Sequence, residues 1–129
     1  MKKPTTRSLI NKLDRIFSEW IRRSDADRKG EVSCFTCGRR MHWKACHAGH
    51  YVSRRHMAGR WVEKNVNIQC VYCNTYLHGA LDEYSNNLVE RYGLGVLVEL
   101  LELKRKTVKF TRGDLEGMIE TYKQKVASL

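Results

Sequence analysis

Four of the five cysteines stand in two short pairs, Cys34-Phe35-Thr36-Cys37 and Cys70-Val71-Tyr72-Cys73, and the stretch between them carries most of the reactive side chains. A Cys-x-x-Cys pair puts two sulfurs on one tight knuckle, and two knuckles complete the tetrahedron that zinc prefers. The spacing predicts a structural zinc on Cys34, Cys37, Cys70 and Cys73. That staple would hold the segment from His47 through Asn65, with Asn74 directly after the last sulfur. Hydrolysing a phosphodiester takes a base to deprotonate water, a cation for the charge that builds on phosphate, and a frame holding both. His50 is the natural base, because an imidazole with an unperturbed pKa of about 6.5 is mostly neutral at physiological pH. Asn74 offers an amide oxygen to a hard ion such as Mg²⁺ or Mn²⁺. Asn65 can hydrogen-bond backbone and fix the loop that presents the histidine. Together these residues read as a metal-dependent nuclease site.

The flanking elements must position them. From about Thr6 to Asp25, Leu9, Leu13, Ile16, Phe17, Trp20 and Ile21 recur at helical spacing, so an amphipathic helix is expected, capped by Thr5 or Thr6. Its apolar face reads as core or as a dimer interface. Asp25 to Gly30 breaks that period, and Glu31-Val32-Ser33 extends into the first knuckle. Between Gly38 and Lys64 the helical period is missing; short runs around Trp43, Tyr51-Val52 and Trp61-Val62 predict a β-hairpin with a long loop, Gly59 serving its turn. After Cys70 a helix is expected to begin at the knuckle and to continue or restart through Leu81, Tyr84, Leu88 and Tyr92, ending near Gly93. Val96 to Leu103 forms a further apolar helix. Thr111 to Asp114 has capping-box spacing and introduces a last one with Leu115, Met118, Ile119, Tyr122 and Val126. The expectation is an α+β chain, mostly helical, in which a zinc-stapled core with a β-hairpin is flanked by N- and C-terminal helices. It forms a single domain over 1–129: an N-terminal helix in 1–30, the core in 31–93 and C-terminal helices in 94–129.

A chain of 129 residues with 42% apolar content, three Trp, six Tyr and three Phe suits one domain with a modest core. The formal charge of +10 favours a polyanion such as nucleic acid or an anionic membrane surface. Nine basic and two acidic residues lie between Arg28 and Lys64, so +7 of that charge overlies the zinc-framed segment. Arg39, Arg40, Arg54, Arg55 and Arg60 are the candidate phosphate contacts. No apolar run approaches the roughly 20 residues of a membrane span and no signal-like segment follows the basic start, so a soluble protein is expected. Cysteines in metal-ligand spacing argue for a reducing cytosol, with Cys46 left over as a core residue.

The set Cys34-x-x-Cys37, Gly49-His50, Asn65 and Cys70-x-x-Cys73-Asn74 resembles the HNH endonucleases, also called His-Me finger or ββα-metal nucleases. Within that group, the string from Ala48 to Arg54 and the string from Asn65 to Asn74, followed by Tyr84 and Tyr92-Gly93, are most similar to the NinG (Rap) recombination endonucleases of lambdoid phages. The resemblance covers about Cys34 to Gly93 and leaves the terminal helices without a family signature. It implies an HNH endodeoxyribonuclease that hydrolyses branched recombination intermediates such as Holliday junctions and D-loops, in the cytoplasm of a bacterial host. His50 would be its general base, Asn65 its loop-organising asparagine and Asn74 its ion ligand. Two cuts resolve a junction and one chain carries one such site, so a homodimer is expected, and a recombination protein is a further possible partner.

Many HNH enzymes carry an aspartate just before the histidine, as a second ligand; this chain has Gly49. Either fewer protein groups hold the ion, or His47 takes part, or a carboxylate arrives from elsewhere, with Glu63, Asp82 and Glu83 as candidates. The competing readings are a non-catalytic zinc-stapled DNA-binding module and a recombination adaptor.

Overall fold

In the computed structural model, which describes residues 2–129, the chain is mostly helical with two small antiparallel sheets. Helix α1 (Thr6–Arg23) opens on Thr5, whose side chain accepts from the Ser8 amide, and carries Leu9, Leu13 and Phe17 on its buried face. Helix α4 (Arg112–Ala127) opens on a reciprocal capping box between Thr111 and Asp114 and buries Leu115, Ile119 and Tyr122. The two faces meet in one core with Trp61 and Val66, and Phe17 packs edge-on against Tyr122 with ring centroids 5.0 Å apart. Each such fully buried apolar side chain contributes about 1.5–3 kcal/mol, which is why α1 and α4 spend their apolar faces on each other.

Strands β1 (Glu31–Ser33) and β2 (Arg40–His42) form a hairpin around the first cysteine knuckle. Gly38 sits in that knuckle at φ +78, a conformation glycine adopts without steric cost. Strand β3 (His47–His50) pairs with β4 (Val66–Gln69), His50 opposite Val66 and Gly49 opposite Asn67. The central hairpin therefore forms, but not within Gly38–Lys64. Its second strand is Val66–Gln69, and Trp61-Val62 belongs to an irregular connection with two 3-10 turns, one of which contains Gly59. The alternation in Val66-Asn67-Ile68-Gln69 does not read as one buried and one solvated face, because the polar Asn67 and Gln69 are buried while the apolar Ile68 is only half-buried.

After the second knuckle the chain makes one π-helical turn (Tyr72–Tyr76) and then breaks. His78, Gly79 and Ala80 all have positive φ, a reversal that makes the helix restart as α2 (Leu81–Tyr92). Helices α2 and α3 (Val96–Glu102) close a second core of Tyr84, Leu88, Val96 and Leu100 over Val52. The β3–β4 sheet lies between the two cores. Ala48 and Val66 join the α1–α4 side, while Gly49 and Asn67 meet Tyr84 of α2. No helix among the described residues is long and apolar enough to cross a membrane.

Candidate metal-braced active site

The sulfurs of Cys34, Cys37, Cys70 and Cys73 all lie within 4.8 Å of one another. A tetrahedral zinc with Zn–S of about 2.3 Å sets sulfurs about 3.8 Å apart, and Cys37 Sγ and Cys70 Sγ are 3.8 Å apart. The four residues fit a structural metal and match zinc. Within the cluster Cys34 is the sulfur prepared for the anionic form, whereas burial pushes the Cys73 thiol up to about 12. Cys34 Sγ receives the Cys70 amide at 3.2 Å and stands 3.3 Å from the Thr36 hydroxyl. Burial opposes ionisation there, yet these hydrogen bonds prevail and bring the thiol down to about 6. Cys46 lies outside the cluster, buried, its thiol donating to the Trp43 carbonyl.

The cluster joins the β1–β2 knuckle to the knuckle after β4, whose turn carries Asn74, while His50 stands on β3, the strand paired with β4. Both residues line one cleft of about 400 Å³, together with Ser53, Arg54, His78 and Gly79. His50 Nε2 is 2.9 Å from the Arg60 carbonyl oxygen. A carbonyl only accepts, so Nε2 bears the proton and Nδ1 keeps its lone pair. Burial, the largest cause, holds this imidazole below its ordinary value of 6.5, against the raising effects of the Arg60 carbonyl and the Asp14 charge. The ring is therefore neutral at pH 7 with one nitrogen able to take a proton.

Asn74 stands in the π-helical turn. Its Nδ2 donates to His47 Nδ1 at 3.0 Å, which leaves Oδ1 as the amide's other functional atom. The contact occupies the lone pair of His47, and that residue does not line the cleft. The structure thus places His47, the expected further ion ligand, against the Asn74 amide and outside the described lining of the cleft.

Asn65 is fully buried. Its Oδ1 accepts from the Val52 amide at 2.8 Å, and its Nδ2 donates to the Val52 and Gly59 carbonyls at 3.0 Å each. One side chain thus ties both ends of the connection between β3 and β4. Tyr84, also fully buried, reaches across from α2 and donates to the Gly49 carbonyl at 2.6 Å. Its helical spacing marked it for the core; nothing in that spacing marked the hydroxyl as a clamp on β3.

Gly49 has a steric explanation. A Cβ there would overlap Gln69 Oε1 and stand 2.7 Å from Gln69 Cδ. Gln69 is fully buried and held by Nε2 on the Gly79 carbonyl at 2.8 Å and near Thr36 Oγ1 at 3.2 Å. An aspartate at position 49 has no room while Gln69 stays. No carboxylate replaces it among the described residues lining the cleft. Glu63 accepts from Trp20, Tyr122 and Lys125, and Asp82 and Glu83 line an adjoining shallow depression that shares His78 and Leu81 with the cleft. The donor set fits Mg²⁺ only as an ion that keeps most of its waters and takes its remaining contacts from substrate phosphate.

The five arginines divide. Arg54 lines the cleft, and Arg39 and Arg55 are exposed with no carboxylate partner among the described residues. Arg40 is paired with Asp27 at 2.8 Å, an exposed bridge that phosphate can displace at small cost. Arg60 is placed differently from the other four. Its guanidinium meets Asp14 in a two-pronged pair at 2.6 and 3.0 Å with only 15% of the side chain exposed, so it is committed to the interior. His78 is an addition, an exposed residue carried to the cleft by its left-handed backbone; no sequence pattern signals that conformation for a histidine.

The family model described as "Bacteriophage Lambda NinG protein" matches residues 2–129. "Protein ninG" of Salmonella phage P22 is 29% identical over 122 aligned residues, covering 87% of this chain and 58% of the relative. The chain thus spans less than two thirds of the length of that curated relative. No solved structure matches it.

Proposed function

This chain belongs to the NinG family, and from that premise we propose that it is a metal-dependent HNH-type endonuclease of branched recombination DNA. One observation carries the reading: His50, with a free lone pair on Nδ1, and Asn74, with a carboxamide oxygen, line the same cleft beside Arg54. In this mechanism His50 Nδ1 takes the proton of an attacking water, and the Arg60 carbonyl holds the ring through Nε2–H in the tautomer that leaves Nδ1 available. Asn74 Oδ1 would hold Mg²⁺ or Mn²⁺, which when bound supplies positive charge to the scissile phosphate and the leaving oxygen. Arg54 and His78 contact the phosphate, and Arg39 and Arg55 extend the basic surface that draws DNA in. The zinc cysteines tie the Asn74 turn to the first knuckle, and the pairing of β3 with β4 sets His50 relative to that turn.

A cleft without carboxylates among its described lining residues favours a second reading, a zinc-braced module that grips branched DNA without cutting it. One experiment separates the two. Labelled four-way junctions are incubated with purified protein and Mg²⁺ or Mn²⁺, in parallel with His50→Ala and Asn74→Ala. The nuclease reading expects ion-dependent nicking that both variants lose while zinc content and junction affinity persist. Cleavage by His50→Ala at the parental rate removes the base; tight, salt-sensitive binding without any cleavage establishes the module.

A further inference from the structure

We propose that Asp14, on the N-terminal helix and outside the cleft, is a positioning residue for His50: it anchors Arg60, whose carbonyl fixes the imidazole. The inference rests on the reading of His50 as the base.

The geometry is a chain of three contacts. His50 Nε2 lies 2.9 Å from the Arg60 carbonyl oxygen, so that carbonyl decides which ring nitrogen bears the proton. Arg60 sits in a connection without strand pairing, held locally by a 3-10 contact from its amide to the Met57 carbonyl at 3.2 Å. What holds it firmly comes from 46 residues away in sequence: Arg60 Nε and Nη2 meet Asp14 Oδ1 and Oδ2 at 3.0 and 2.6 Å. A forked, parallel pair of this kind fixes orientation as well as distance. Asp14 Oδ1 also accepts from Trp61 Nε1 at 3.0 Å, so two successive residues of the connection hang from one carboxylate. Arg60 Nη1 reaches on to the Arg54 carbonyl at 3.2 Å and draws in the segment bearing the cleft arginine.

The pair is mostly buried, with side-chain exposures of 15% for Arg60 and 22% for Asp14. Removing one member of such a pair costs several times more than an exposed bridge does, because the survivor keeps its desolvation penalty. Position matters as well. Helix α1 needs only an apolar stripe to pack on α4, and a carboxylate beside Leu13 adds nothing to that packing; its partners are all in the β3–β4 connection. Asp14 therefore turns the N-terminal helix into part of the catalytic frame. The Asp14 charge also opposes the Arg54 and Arg60 charges, which disfavour the imidazolium that forms when His50 takes a proton.

The test uses the full chain with zinc bound. Asp14→Asn keeps shape and one acceptor but loses the charged second prong; Arg60→Ala keeps the carbonyl but loses its anchor. Two readouts are taken. In the free protein, the ¹⁵N shifts of His50 report its tautomer. On junction DNA, kcat and KM are measured separately on variants verified as folded. The positioning role expects both variants to mix the His50 tautomers and to lower kcat by about tenfold or more with KM within about twofold, since misplacements of about 1 Å cost up to 10²-fold. It also expects the double variant to be no worse than the poorer single, because the two residues act as one unit. Should Asp14→Asn not fold, Arg60→Lys, which keeps the charge and loses the fork, carries the same expectation. A parental tautomer with parental kcat in a folded variant overturns the role, as does additive loss in the double variant. The tautomer readout separates this inference from the nuclease reading: a protein that never cleaves still shows whether Asp14 sets the state of His50.

Discussion

Adding a single methyl group at position 49 tests the packing that closes this site to an aspartate. In Gly49→Ala the new Cβ would overlap Gln69 Oε1 and lie 2.7 and 3.0 Å from Gln69 Cδ and Cγ. Strand β3 cannot retreat, because Gly49 is paired opposite Asn67 and its carbonyl is held by the Tyr84 hydroxyl at 2.6 Å. Gln69 must therefore swing away and give up its contacts with the Gly79 carbonyl and Thr36. Overpacking a tight interior costs about 1–3 kcal/mol, and leaving the buried Gly79 carbonyl without a donor costs about 1–3 kcal/mol more. Some of this is recovered, because Gln69 Oε1 is itself a buried acceptor without a partner. The expected net loss is about 3 kcal/mol, a large fraction of the roughly 5–15 kcal/mol by which domains are stable. Urea unfolding of four proteins supplies the measurement: parent, Gly49→Ala, Gln69→Ala and the double variant. Once Gln69 is cut back, the alanine at position 49 has room, so Gly49→Ala should cost under about 1 kcal/mol on that background, a coupling of about 2 kcal/mol. An equal cost on both backgrounds, or a loss below about 0.5 kcal/mol in the parent, would refute the steric account of the missing aspartate.

Two further outcomes follow from the site's geometry. Structural zinc binding supplies about 10–16 kcal/mol in small knuckled domains, so Cys70→Ser should unfold the segment between the knuckles, read by limited proteolysis and by loss of dispersed amide signals; a folded, metal-free variant would contradict the brace. His50 is depressed by burial, so its unfolded form binds protons first: between 6.5 and its lower folded value, stability falls as pH falls, and His50→Gln should flatten that part of the stability–pH curve. The acid limb of cleavage should likewise have its midpoint below 6.5; a midpoint above 6.5 would contradict a buried, neutral base.

Much of the frame was legible in the residues because the relevant physics is local. Apolar spacing set helix α1, and side chains three residues apart set the capping box of Thr111 and Asp114. The two Cys-x-x-Cys pairs carried enough metal geometry in their spacing to anticipate the four-sulfur cluster. The second hairpin strand was hidden because Asn67 and Gln69 are polar yet buried. Their partners, Tyr84 and Gly79, lie beyond the second knuckle, and no strand periodicity points to them.

The sequence by itself determined which atoms are available: four sulfurs in metal spacing, two imidazoles beside a glycine, an asparagine after the last sulfur and an excess of positive charge. Only the tertiary structure decided how those atoms are used. It turned His47 toward Asn74, brought His78 to the cleft, committed Arg60 to Asp14 and filled the space over Gly49 with Gln69. The reason is distance along the chain. A side chain's role depends on what stands within about 3 Å of its polar atoms, and here those neighbours come from segments tens of residues away.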